Sequence, residues 1–296
     1  MTAAIDRAQA LGRSTKRDAT RRGERRWLLT AVGVVIAAIF LAPYVVMLIG
    51  ALKPRLEILA VPPDYLPQNW RFDNFVTMWQ TVETPLPFNL VSSLVISIFG
   101  TALTLVVALP AAYYTARQRF RLRLPFLLLV LVTQMLQPTV LAAGLFREFT
   151  QVGLADTWLS MILVNAAFNL SFAIWIMHTF FSSVPRELEE AAWLDGCGRL
   201  GSLRRVMLPL VWPGIVTTII FIFIACWNEF AASLVLLSTD TNQPLTVALT
   251  KFFGQYDTSW QYVFSMSLVA IVPVVLLFAL IERHLVSGLT AGGVKA

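Results

Sequence analysis

Residues 27–52 read WLLTAVGVVIAAIFLAPYVVMLIGAL, an unbroken run without one charged side chain. A helix needs about 20 mostly apolar residues to cross the ~30 Å hydrocarbon core of a bilayer. This run is long enough. Taken alone it also fits a core helix of a large soluble protein, so the rest of the chain decides. Further charge-free intervals occupy 84–116, 124–146, 157–185, 206–228 and 258–281. Pro85 and Pro87 delay the second helix to about residue 88, and Pro209 and Pro213 delay the fifth. The expected spans are 27–52, 88–116, 124–146, 158–181, 214–238 and 260–281, with Glu229 inside the fifth. Six in series, with little polar chain between them, define an all-α integral membrane protein that crosses the bilayer several times.

Composition agrees. Of 296 residues, 57% are hydrophobic and 14% charged, against about 25% charged in soluble domains. So little charge cannot clothe a water-exposed surface, which excludes a soluble enzyme. The same figures exclude disorder over most of the length. A β-barrel would alternate in segments of ~10 residues; these runs do not.

The net charge of +6 is distributed by topology. Lys and Arg number eight in residues 1–26, four in 117–123 and four in 182–213, with Arg283 and Lys295 near the C-terminus. The intervening segments hold only Lys53, Arg55, Arg71, Arg147 and Lys251. The positive-inside rule therefore puts both termini in the cytoplasm, and no nucleic-acid role is implied. Residues 1–26 lack the apolar core of a signal peptide. They are expected to form a disordered basic cytoplasmic tail that touches anionic lipid. Residues 27–285 form the membrane domain and 286–296 a cytoplasmic C-terminal tail. Cys197 and Cys226 lie in a cytoplasmic loop and a span, so no disulfide is expected. His178 and His284 are isolated, so no metal site is expected.

The longest cytoplasmic connection reads FSSVPRELEEAAWLDGCGRLGSLRRVMLPLVWP from Phe181 to Pro213. Ser183 and Pro185 suit a helix start, and Glu187, Glu189 and Glu190 suit the positive end of its dipole. Leu188, Ala191, Ala192 and Asp195 fall at helical spacing on one face, small enough in the middle for another surface to approach. Gly196 and Gly198 break the helix, and a second short one follows. By these features alone, an elbow joining two spans and a dock for a partner are equally good readings.

The spacing adds something specific. Glu190-Ala191-Ala192, three residues, Gly196, nine residues, Val206, one residue and Leu208-Pro209 resemble the EAA loop of ABC importer permeases. Cys197 stands where the family usually has alanine. Other stretches resemble one branch, the second permease subunit of maltose-type carbohydrate importers. These are Lys53-Pro54 with Glu57 and Pro62-Pro63, Trp227-Asn228-Glu229-Phe230, and the ending Gly288 to Lys295, in which Gly293 replaces a common alanine. The resemblance covers residues 27–296 and implies a type I ABC importer permease in a bacterial inner membrane. It also implies a second homologous permease subunit, two ABC ATPase subunits that bind ATP and Mg, and an extracytoplasmic substrate-binding protein. This chain has no Walker motif around any of its lysines, so no catalytic residue and no cofactor are assigned to it.

Residue by residue, the resemblance assigns ATPase docking to Glu190, Ala191, Ala192, Asp195, Gly196, Leu208 and Pro209, and contact with the ATPases to Gly288, Thr290 and Gly292 of the tail. Polar residues inside spans mark the candidate substrate path: Gln134, Gln137, Asn165, Asn169, Asn228 and Glu229, with Asn89 further out and Trp227 able to stack on a sugar ring. Amides suit sugar hydroxyls, but they also bond neighbouring helices for roughly 0.6 kcal/mol. The predicted spans contain no arginine or lysine, which disfavours a path for strong anions. A related importer for polyamines or glycerol phosphate derivatives is the competing reading. A membrane enzyme lacks its catalytic cluster here, and a channel has no use for an ATPase dock.

Overall fold

The computed structural model describes residues 2–81, 86–118, 120–254 and 257–291, and its regular elements are helices. In chain order, leaving aside the short turns Arg55–Ile58, Leu245–Ala248 and Leu249–Phe252, they are α1 (Thr2–Ala51), α2 (Asn74–Thr81), α3 (Leu86–Arg117), α4 (Arg123–Thr133), α5 (Pro138–Gln151) and α6 (Trp158–Ser183). Then come α7 (Arg186–Leu194), α8 (Arg199–Leu210), α9 (Trp212–Trp227), α10 (Ala231–Leu236) and α11 (Trp260–Ala291). Among the described residues four helices are long and apolar enough to cross a membrane: α3, α6, Trp27–Ala51 of α1 and Trp260–Glu282 of α11.

The other two expected spans are broken. The segment expected as one helix over 124–146 turns through 92° between α4 and α5. Pro138 is the cause. It holds Gln137 extended (φ −85°, ψ 137°) and starts a new helix at its first position. The segment expected as 214–238 ends at Trp227 and restarts at Ala231, so Glu229 lies in a break rather than within a helix. Residues 2–26, expected to be disordered, continue α1 as helix. Their alanines and arginines are good helix formers, and adding to an existing helix avoids the cost of nucleation.

Helices α3 and α6 form the central pair. Ala108, Ala112 and Ala116 on α3 are buried at four-residue spacing, beside Ala173, Met177 and Phe181 on α6. Lipid gives apolar helices no hydrophobic reason to associate, so small residues that allow close packing carry the contact. Gly214 serves the same end on α9, since a Cβ there would strike the Phe180 ring. Helix α1 leans on α11 at Gly50. Much of the rest of its surface, including Trp27, Val34 and Phe40, is exposed apolar side chain suited to lipid.

Outside the helix ends, residues 53–74 form a cap. Lys53 is buried and donates to the Asp64 carbonyl. The Glu57 carboxylate accepts from the Gln68 and Asn69 backbone N–H groups and from Asn69 Nδ2. Asn74 ties the cap to the end of α1 through the Ala51 and Lys53 carbonyls.

A second clamp joins the loops after α5 and α10. Asp156 adopts φ 59°, which its short side chain tolerates. Its carboxylate accepts from Ser238 N at 2.8 Å, Thr239 N at 2.9 Å and the Thr239 hydroxyl. Burial pushes its pKa up, but these hydrogen bonds outweigh burial and hold the carboxyl below its ordinary range. A depressed folded value gives stability that is present above the unfolded pKa of about 3.9 and lost as pH falls through the folded value. The melting temperature of the full chain is therefore expected to fall as pH drops from about 5 to 3. Asp156→Asn should flatten that limb.

Candidate functional site

The two helix breaks and α6 enclose an open cleft of about 410 Å3. One wall is the corner between α4 and α5, with Gln134, Leu136, Gln137 and Pro138. Asn165, Phe168, Asn169 and Phe172 line it from one face of α6, and Phe221 and Ala225 from α9. Glu229 enters from the break between α9 and α10. Its Oε1 accepts the Ala232 N–H at 2.7 Å and so caps the helix that restarts there. Asn169 Nδ2 donates to the Asn165 carbonyl at 2.8 Å, which fixes its orientation. Asn165 is only 3% exposed, and its Nδ2 has no hydrogen-bond partner in the chain. A buried amide donor left unpaired costs about 1–3 kcal/mol, a cost carried by the wall of the cleft. The cleft thus offers amide donors and acceptors beside three aromatic rings and a carboxylate already engaged on one oxygen.

The structure brings together Gln134, Gln137, Asn165, Asn169 and Glu229 from the sequence-predicted set. Three members do not line the cleft. Trp227 is 4% exposed, stacks on Phe223 and donates its indole N–H to the Ala270 carbonyl, so it is a core residue. Asn228 bonds the Ile224 carbonyl and closes α9. Asn89 lies away from it too, holding the Asp240 and Gln243 carbonyls at 2.7 Å each. Phe168 and Phe172 were missed, although they extend the helical spacing of Asn165 and Asn169.

The elbow has an inner and an outer face. Glu190, Ala191 and Asp195 are exposed, while Ala192 is buried beside Glu189. The face expected to hold Leu188, Ala191, Ala192 and Asp195 together is therefore split, because Glu189 turns inward to a partner. Arg117 Nε, at the end of α3, lies 3.0 Å from Glu189 Oε2, with the side chains 6% and 4% exposed. The Tyr113 hydroxyl donates to Glu189 Oε1, and Arg117 also donates to the Val184 carbonyl at 3.0 Å. This latch was not legible beforehand, since one sequence does not say which Arg meets which Glu. After α7, Cys197 N–H reaches the Ala192 carbonyl and Gly196 N–H the Trp193 carbonyl. That is a Schellman stop, and Gly196 takes its left-handed position at φ 84°. Glycine at the fourth position after Ala192 is thus a helix terminator. Within α8, Leu203–Met207 wind as a π-helical turn ahead of Pro209, which has no N–H to give. Leu208 packs with the Met177, Phe181 and Met207 cluster, and Pro209 is exposed. In the tail, the backbone of Gly288 and Thr290 continues α11. Gly292 lies outside the described residues.

Broken apolar helices thus wall a polar cleft, and an acidic elbow is latched to one helix end. Residues 105–290 match the family described as binding-protein-dependent transport system inner membrane component, and the chain belongs to it. The chain is 32% identical to the inner membrane ABC transporter permease protein YcjP of Escherichia coli, over 87% of this chain and 92% of that one. It is 32% identical to the diacetylchitobiose uptake system permease protein DasC of Streptomyces coelicolor, over 90% and 95%. A chain from the crystal structure of a bacterial ABC transporter that imports the acidic polysaccharide alginate superposes with a TM-score of 0.71 at 21% identity, over 86% of this chain and 95% of that one. That likeness concerns the fold.

Proposed function

We propose that this chain is the permease subunit of an ATP-driven importer of a carbohydrate, an oligosaccharide, disaccharide or polyol. The observation that carries the substrate class is the cleft lining of amides and phenylalanine rings. Amides exchange hydrogen bonds with hydroxyls, and ring faces pack on the C–H faces of a sugar. The competing solutes fit less well. A glycerol phosphate derivative needs a cation, and no arginine or lysine is among the described residues lining the cleft. A polyamine needs free carboxylates, and Glu229 spends Oε1 on the Ala232 N–H. The sugar-related relative DasC supports the same choice.

In this reading six spans cross a bacterial inner membrane, two of them the broken ones, with both termini in the cytoplasm. The domains divide as a cytoplasmic segment 1–26, a membrane domain 27–285 with the elbow at 182–213, and a cytoplasmic tail 286–296. A second permease subunit shares the path, an extracytoplasmic binding protein delivers the solute, and two ATPase subunits bind ATP and Mg. Glu190, Ala191 and Asp195 present the docking face. Gly196 sets where it ends, and Leu208 and Pro209 lead it into α9. Ala192 anchors the inner face. Gly288, Thr290 and Gly292 of the tail are assigned to contact with the ATPases. ATP binding moves the elbow, the latch carries the movement to α3, and the cleft changes the side to which it opens. The family description, which names an inner membrane component working with a binding protein, supports this arrangement.

The test is uptake of a radiolabelled sugar panel by cells that carry the complete importer. Asn165→Leu should lower uptake of the cognate sugar about tenfold, the effect of roughly 1.4 kcal/mol of lost hydrogen bonding. The amount of chain in the membrane should not change. Undiminished uptake in both Asn165→Leu and Asn169→Leu would remove the cleft from the path.

A further inference from the structure

A second cavity, of about 540 Å3, opens at the elbow end of the helices. Its lining comes from four elements: Ala116 and Arg117 close α3, Arg123 opens α4, Ser182 and Ser183 close α6, and Arg186 and Glu187 open α7. The cleft mechanism uses none of it except Arg117.

Its charges do not cancel. Arg117 is neutralised by Glu189. Arg123 and Arg186 then face a single lining carboxylate, Glu187. Arg123 is held in place by a relay. The Thr115 hydroxyl donates to the Ala112 carbonyl at 2.9 Å, leaving its oxygen to accept from His178 Nδ1 at 3.1 Å. His178 Nε2 then accepts from Arg123 at 3.4 Å. That contact engages one guanidinium nitrogen. Arg186 likewise spends one nitrogen on the Arg117 carbonyl at 3.3 Å. Each retains N–H donors, and the excess is one positive charge.

One excess charge, planar guanidinium donors and a position at the ends of spans are together the complement of one phosphodiester at the membrane surface. We infer that this cavity binds the phosphate of an anionic phospholipid headgroup, next to the elbow that moves in transport. A nucleotide triphosphate carries more negative charge than the site balances. The inference rests on reading these helix ends as the membrane interface. It does not depend on which solute is carried.

The full chain purified in neutral detergent is the material. Native mass spectrometry counts retained phosphatidylglycerol against phosphatidylcholine, and inorganic phosphate is titrated separately by thermal shift. Wild type should retain phosphatidylglycerol selectively. Arg123→Gln and Arg186→Gln should each weaken retention about fivefold, the equivalent of about 1 kcal/mol per arginine at an anionic surface. Arg121→Gln, an exposed arginine outside the cavity lining, should retain lipid as wild type does. A matching response to inorganic phosphate, lost in the same variants, would keep the phosphate site and assign it to a soluble anion. Equal losses in all three variants would mean diffuse attraction and would overturn the proposal, as would selective retention that survives Arg123→Gln/Arg186→Gln. Because lipid retention is read without transport, its failure leaves the importer reading standing.

Discussion

Glu189→Ala should destabilise the chain by about 3–5 kcal/mol, because it strands the Arg117 guanidinium in a buried site. The Tyr113 hydroxyl loses its acceptor in the same step. Denaturation of the purified chain in detergent measures the loss. The double variant Arg117→Met/Glu189→Leu should recover most of it, since apolar replacement of a buried ion pair is often neutral. It should not recover transport if the pair carries elbow motion to α3. Stability and uptake restored together would reduce the latch to packing. The exchange Arg117→Glu/Glu189→Arg should fail on both counts, because it sets a carboxylate against the Val184 carbonyl that Arg117 now serves, a repulsive contact between acceptors that the apolar pair does not make.

Glu190→Lys should do the reverse. The residue is exposed on the outer face of α7, so stability should change by no more than about 0.5 kcal/mol. If this face docks the ATPase as proposed, uptake by the complete importer should fall at least about tenfold, with ATP hydrolysis no longer responsive to the binding protein, because a charge of the wrong sign would meet the ATPase. Gly196→Val provides a graded comparison. It forces a β-branched residue into the left-handed region at φ 84°, at about 1–3 kcal/mol of strain. Elbow geometry should suffer, while nothing nearby would clash with the side chain. Normal uptake in Glu190→Lys would take the docking role away from this face.

Much of the architecture was legible because bilayer physics is coarse. Runs such as 27–52 and 88–116 advertise themselves by length and lack of charge, and in the structure the first ends one residue past α1 and the second falls within α3. The breaks were harder. Pro138 sits in the middle of an apolar run, and the sequence does not say whether such a proline kinks a helix, as Pro110 does not end α3, or turns it through 92°. Tertiary neighbours decide. The polar residues show the same limit. Asn165 and Trp227 are equally conspicuous in an apolar sequence, yet one lines the cleft and the other lies in the core. The difference is a rotation about a helix axis, which packing sets. The latch between Arg117 and Glu189 joins segments far apart in the chain and leaves no local pattern.

Two interrupted helices in the wall of one cleft have a consequence for how tightly a solute is held. Each interruption leaves main-chain groups without their helical partners, and Asn165 adds a bare donor. Surfaces of that kind do not stay dry inside a bilayer. A polar cavity of this size would take up water at rest, and on the proposed function an arriving sugar would trade its hydroxyls for some of those waters. Such an exchange releases little free energy. Loose occupancy and ready discharge follow from the geometry, leaving tight capture to whatever delivers the solute.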